Sequence, residues 1–322
     1  IKRVEPFINT APYISPFLQI KWHLVQAMHA HMAEVKGYEA INQSDMGLSI
    51  ARDSGVHVFD LCLLAQRVLG SLTSYDMPKA QHYLEAMAAA LKEGSLCDAA
   101  NYHFLNSWKS YCQGNIRYFS EHLQIALNLA EKSGCVLSQA AGNVGMAYVF
   151  LEMSDLGSAK NHIMKAKGLL PGNKDTLEFI YLLAQVHVCF RFQEEKEGLK
   201  YLAAAFAIGR RQGFFTAPFW KRESMSRLCA KALEHGIETD YVLELIHRRS
   251  LSLSPGKTHT IWQEIWPYPL RIFTLGRFEI ELNGHTLQFG AKGPKKALEL
   301  LKAIIALGTK NVSIQTVMDI LY

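Results

Sequence analysis

Leu127-Asn128-Leu129-Ala130-Glu131-Lys132-Ser133-Gly134 is the stretch from which the fold is read. Its apolar residues recur at helical spacing, its last turn is polar, and it stops on a glycine that can adopt the left-handed cap of a helix. The same ending recurs upstream in Leu48-Ser49-Ile50-Ala51-Arg52-Asp53-Ser54-Gly55 and downstream in Ala207-Ile208-Gly209-Arg210-Arg211-Gln212-Gly213. With Gly94 and Gly172 added, the stops are 39, 40, 38 and 41 residues apart. Between them apolar residues return every three or four positions, as in Val144, Ala147, Tyr148 and Leu151. A beat of this length marks stacked supersecondary units. Each unit reads as two antiparallel helices that cannot bury an apolar face alone, so neighbours must share one core. The expected fold class is an all-α solenoid over residues 1–250, with helices near 16–34, 38–54, 56–70, 77–93, 96–113, 115–133, 135–153, 156–170, 174–193, 195–212, 215–235 and 239–249.

Ala141, Val144, Gly145 and Tyr148, followed by Ala159, Ile163, Ala166 and Pro171, loosely match the tetratricopeptide signature, with two extra residues in the turn. Small Gly145 and Ala159 sit where paired helices approach most closely, and Tyr148 and Ile163 fill the gaps. The lengthened repeat resembles the TPR-like superhelical sensor domain of large ATP-dependent bacterial regulators of the MalT-like, LuxR/activator type. That resemblance implies an ATPase module preceding the repeats in the parent protein. ATP is therefore expected as a cofactor outside this chain, and no cofactor within it.

From Leu251 to Pro269 the pattern breaks at Ser252, Ser254, Pro255, Gly256, Pro267 and Pro269, which reads as a linker over 251–268 with Trp262 and Trp266 packed on a neighbour. Leu270–Leu275, Arg277–Leu282 and His285–Phe289 then alternate in polarity, with Asn283-Gly284 as a hairpin turn. A helix is predicted from Pro294 to Gly308, and Ser313 reads as the N-cap of another over 314–322. Residues 269–322 resemble the start of an OmpR-type winged helix, of the variety found in bacterial transcriptional activators. The resemblance implies a small α+β segment, a DNA partner, and a recognition helix and wing beyond Tyr322, making the segment truncated.

Composition narrows the rest. The 322 residues are 49% hydrophobic and 20% charged, which excludes wholesale disorder. No apolar run approaches the length of a membrane span, so no membrane partner is expected. The net charge is +5, and residues 268–322 hold seven basic and four acidic side chains, a mild bias compatible with nucleic acid. Cys62, Cys97, Cys112, Cys135, Cys189 and Cys229 show no paired spacing, which reads as reduced thiols and a cytoplasmic location.

Chemistry-bearing motifs are sparse. Pro255-Gly256-Lys257-Thr258 ends like a phosphate-binding loop, but Leu251 stands where its first glycine belongs. His29 and His31 are two apart, pointing to different sides of a helix, and H-E-x-x-H is absent, so no metal site is expected. G-x-S-x-G is absent too, and the Glu194-Glu195 pair suits a solvated helix start, so no catalytic residue is assigned and the chain is not expected to be an enzyme. First helices of the pairs conventionally line the inner surface. Alignment on Tyr148 turns Tyr102, Asn106, Lys109, Gln139, Met146, Glu178, Tyr181 and Gln185 towards it. Aromatics interleaved with amides suit a sugar or a peptide, so the expected occupant is a small-molecule inducer or a partner protein, with self-association as a further mode. The same residues are also compatible with ordinary repeat packing. Lys292, Lys295 and Lys296, at a strand-to-helix turn, are candidates for DNA-backbone contact, with a solvated basic helix start as the alternative.

Overall fold

The structure, a computed structural model, describes residues 14–169, 175–253, 260–282, 284–289, 294–308 and 312–321. Two compact units divide at Trp266/Pro267. In the first, helices pack in sequence order, in the manner of an all-α solenoid: α1 (Pro16–His29, continued by a π-helical turn Ala30–Glu34), α2 (Gly37–Ser54), α3 (Asp60–Thr73), α4 (Met77–Ala90), α5 (Leu96–Cys112) and α6 (Ile116–Ser133). They are followed by α7 (Val136–Glu152), α8 (Leu156–Leu169), α9 (Asp175–Arg191), α10 (Glu195–Gln212), α11 (Arg222–Glu234), α12 (Thr239–Arg249) and α13 (Thr260–Ile265). The first helices of successive pairs, α1, α3, α5, α7 and α9, also touch one another, forming a continuous ladder.

The forty-residue beat is visible in side chains as well as helix ends. His103 of α5 and His122 of α6 meet at 2.9 Å between their Nδ1 atoms. One repeat later Asn143 of α7 and His162 of α8 meet at 2.9 Å. Gly55, Gly134 and Gly213 close α2, α6 and α10 in the left-handed conformation, as their sequence context predicts. Gly94 is also left-handed, but α4 stops earlier, at Ala90. Gly172 and Pro171 lie outside the described residues.

A second beat falls on a glycine only once. The turns leaving α1 with its π-helical extension, α3, α5, α7 and α9 place Val35, Tyr75, Gly114, Ser154 and Gln193 in the left-handed region. In the last four, the next residue's N–H reaches back 2.9 Å to the carbonyls of Ser71, Ser110, Phe150 and Cys189. After the π-helical turn, Lys36 makes the same 2.9 Å bond one residue further back, to Ala30. Asp76, Asn115 and Asp155 then cap the following helices, accepting from the N–H groups of Lys79, Tyr118 and Ser158.

Two helices depart from their expected bounds in ways the sequence explains. The helix expected over 56–70 runs from Asp60 to Thr73, with Gly70 inside it rather than at its end. Gly70 is there for contact: a Cβ on it would lie 2.6 Å from the Gly37 carbonyl oxygen, where α2 begins. The helix expected over 215–235 begins only at Arg222. Pro218 disfavours a helix through the preceding residues, since it has no N–H and crowds the turn before it. Phe214–Lys221 is instead irregular and largely buried: Phe215, Thr216, Ala217, Phe219 and Trp220 are each at most 5% exposed.

The stretch expected as a linker contributes α13 to the first unit, where Trp266 is 1% exposed. The second unit, Pro267–Tyr322, carries an antiparallel meander of β1 (Leu270–Phe273), β2 (Glu279–Leu282) and β3 (His285–Thr286) in that order. Register pairs Ile272 with Ile280 and Leu282 with His285. α14 (Lys295–Ala306) and α15 (Ile314–Leu321) follow, and the Ser313 hydroxyl accepts from the Thr316 N–H at 3.0 Å, the N-cap its sequence announced. Asn283 lies outside the described residues. No described helix is long and apolar enough to cross a membrane.

Candidate functional site

The irregular segment Phe214–Lys221 fills much of the space in front of the ladder. Phe219 packs its ring 5.3 Å from Phe104 and Phe119, 5.8 Å from Tyr111 and Tyr148, and 6.3 Å from Trp108. Gly145 makes room for it, since a Cβ there would meet Phe219 at 3.0 Å and Leu123 at 2.7 Å. The Tyr75 hydroxyl donates to the Trp220 carbonyl at 3.1 Å. The segment also ties the first helices to the last: the Phe215 N–H donates to Met32 O at 3.0 Å, and Arg248 of α12 donates to Ala33 O at 2.9 Å.

Beside this plug remains a cavity of about 420 Å³ between α5, α7, α9, α11 and α13. Tyr111, Tyr148, His187, Phe190 and Trp262 supply rings, and Glu152, Arg191, Arg227 and Lys231 supply charge. The volume lies in the lower part of the range of small-molecule sites, about 300–1,000 Å³. Three of its charges are already paired: Glu152 with Lys221 at 2.5 Å, Arg227 with Glu223 at 2.8 Å, and Lys231 with Glu195. Lys221 also lies 3.9 Å above the Tyr111 ring, and Lys231 faces Phe190 and Trp262 at 5.1 and 5.9 Å. Arg191 forms no ion pair among the described residues. Burial, reinforced by Arg191, depresses the His187 imidazole to about 4, so it is neutral near pH 7. Burial also raises the Tyr148 and Tyr111 phenols, and the neighbouring Glu152 carboxylate adds to the shift at Tyr111.

The eight residues that the alignment turns towards the inner surface are placed as follows. The Asn106 amide turns back on its own helix and donates to the Tyr102 carbonyl at 3.1 Å. Lys109 donates to Gln81 of α4, and Gln139 to Ala130 O of α6 at 3.2 Å. Met146 is buried and Glu178 exposed. Tyr181 is buried, with its phenol raised by burial and then by nearby Tyr201 of α10. Gln185 keeps a buried Oε1 without a hydrogen-bond partner. None of these eight lines the cavity.

Five of the residues that do line it share the repeat register. Tyr111, Leu151 and Arg191 are spaced 40 apart, and Tyr148 and His187 are 39 apart, towards the C-terminal ends of α5, α7 and α9. Tyr148 anchored the sequence alignment but was read as a gap filler. Extending its register by one repeat would have reached His187.

In the second unit Lys295 and Lys296 are exposed in the first turn of α14, and Lys292 lies outside the described residues. The phosphate-loop-like Pro255–Thr258 also lies outside them. Among the described residues, no cluster of three or more His, Cys, Asp or Glu side chains is placed to hold a metal ion. No family model matches the chain, and no curated protein matches it.

Proposed function

We propose that this chain belongs to a bacterial transcriptional regulator: its helix pairs wind as a TPR-like superhelix that binds a small effector on the ladder face, and its C-terminal unit is part of a winged-helix DNA-binding domain. One observation carries the effector half. Beside Phe214–Lys221, which packs on the ladder, lies a partly enclosed cavity of metabolite size walled by rings and charges. The DNA-binding half is supported by the order of a three-stranded meander followed by two helices, with exposed Lys295 and Lys296 at the first helix start. Such lysines touch phosphates without reading sequence, so their contribution is salt-sensitive and uniform across sequences.

Chromatin immunoprecipitation of the full-length protein in its host tests the regulator reading. Recovery of discrete promoter fragments is expected, and recovery of none, or of DNA without preference, overturns it. For the effector, a metabolite panel is screened by thermal shift, since a ligand of the folded form raises the melting temperature.

The second reading is a peptide-binding scaffold without a small effector, and one feature favours it. The ladder already holds an irregular aromatic segment, its own residues 214–221. A partner segment of similar composition competing for that face would be captured only when the plug leaves, so capture should increase in a Phe219→Ala variant.

A further inference from the structure

The cavity has more positive than negative side chains in its wall, and its positive charge is unevenly compensated. Arg191, Arg227 and Lys231 face a single carboxylate, Glu152, which is already held by Lys221. Glu223 and Glu195 partner Arg227 and Lys231, leaving Arg191 as the guanidinium without an acidic partner among the described residues. It is exposed, at the last residue of α9, so it reaches the cavity from the rim.

A second observation points to the same sign of charge. Arg249, at the end of α12, is 7% exposed, has no ion pair among the described residues, and keeps an Nη1 with no hydrogen-bond partner. Arg222 and Arg249 both lie against the Tyr75 ring, at 4.6 and 5.8 Å. Both Arg249 and Lys221 act electrostatically on Cys112 at the end of α5, the residue after the cavity-lining Tyr111. Lys221 thus adds a cation at the cavity wall through Glu152 and the Tyr111 ring, and Arg222, the next residue, clusters with Arg249 around Tyr75. Such an excess in a partly enclosed site draws anions, because low-dielectric walls focus the field. Guanidinium groups offer forked donors that match carboxylate and phosphate oxygens.

The rest of the wall selects what the anion is attached to. Tyr148 and His187 meet at 5.4 Å, and Phe190 and Trp262 complete an aromatic lining. Neutral His187 and the Tyr148 phenol make no side-chain hydrogen bond among the described residues, so both can meet polar edges of a ring. Resting on the effector reading above, the geometry points to a small oxyanion, carboxylate or phosphate, carried on a planar ring, with Arg191 holding the oxyanion and the aromatic wall holding the ring.

Isothermal titration calorimetry of the full chain tests this with three charged probes, benzoate, indole-3-acetate and adenosine monophosphate, against their neutral counterparts benzyl alcohol, indole-3-ethanol and adenosine. At least one anion is expected to bind at least about tenfold more tightly than its counterpart. Arg191→Gln, at an exposed position, is expected to remove that advantage while leaving the neutral probe and the melting temperature unchanged. Equal binding of charged and neutral members overturns the anion assignment but leaves an effector site standing. No binding by any probe at millimolar concentration, or anion binding untouched by Arg191→Gln, overturns the assignment as well. Failure to recover promoter DNA bears only on the regulator reading.

Discussion

Phe219 sits at φ +61° and 2% exposure, with five aromatic neighbours from α5, α6 and α7. A phenylalanine in the left-handed region costs about 1–2 kcal/mol of backbone strain, which its ring contacts more than offset. Phe219→Ala keeps most of that strain and loses the ring, so it should cost about 3–5 kcal/mol in urea unfolding. A loss below about 1 kcal/mol would mean that the plug is not held by this residue. His31 gives a second expectation. It is 5% exposed, contacts the Ala27 carbonyl at 3.2 Å, and burial lowers its imidazole to about 4. The unfolded chain takes up this proton near pH 6.5 and the folded chain only near 4. His31 therefore adds stability above pH 6.5 that fades as the pH falls from there towards 4, by about 3 kcal/mol at most. Chemical unfolding of His31→Gln across this window should show a flatter pH profile than the parent, and an identical profile would refute the assignment.

At the scale of elements, the five left-handed turns differ in what their side chains do. The Gln193 side chain makes no hydrogen bond among the described residues, whereas the Tyr75 hydroxyl holds Trp220 and its ring faces Arg222 and Arg249. Gln193→Gly should therefore stabilise by up to about 1 kcal/mol, relief of strain exceeding the entropy glycine adds to the unfolded chain. Tyr75→Gly should destabilise despite the same backbone relief. Urea midpoints of the pair decide it, and a shift of the same sign in both would remove the distinction. This contrast also explains what could be read from sequence. The stops after α2, α6 and α10 are glycines and were legible, and the helices between them follow from apolar spacing. The equally regular turns after the π-helical turn, α3, α5, α7 and α9 hold Val, Tyr, Gly, Ser and Gln, so composition conceals a beat the backbone keeps. The helix expected near 56–70 runs on past Gly70, a glycine that serves close contact rather than a stop. The plug was not legible because Phe214–Trp220 is apolar enough to resemble a buried helix, with Pro218 the single residue that argues against one. The cavity was missed for a related reason: Tyr148, whose register leads to His187, was assigned to packing.

For the molecule as a whole, the plug alters how a repeat array holds together. An array bound only by neighbour contacts unfolds in a nearly additive way, repeat by repeat. In the first unit, Met32 and Ala33 are bonded to Phe215 and Arg248, and Phe219 spans α5 to α7. Contacts between residues so far apart in sequence couple the first helices to the last. The helical unit should therefore unfold in one transition by far-ultraviolet circular dichroism, and by fluorescence at the same denaturant concentration. In Phe219→Ala the two probes should separate. Coincident curves in the variant would show that neighbour contacts alone supply the cooperativity.

The order in which the ribosome makes these parts has its own outcome. Residues 214–221 are synthesised after α10, so Trp108, Tyr111, Phe119 and Tyr148 exist for many codons before the segment that covers them. A nascent chain paused before Phe214 presents a sticky aromatic wall, a natural client for a chaperone.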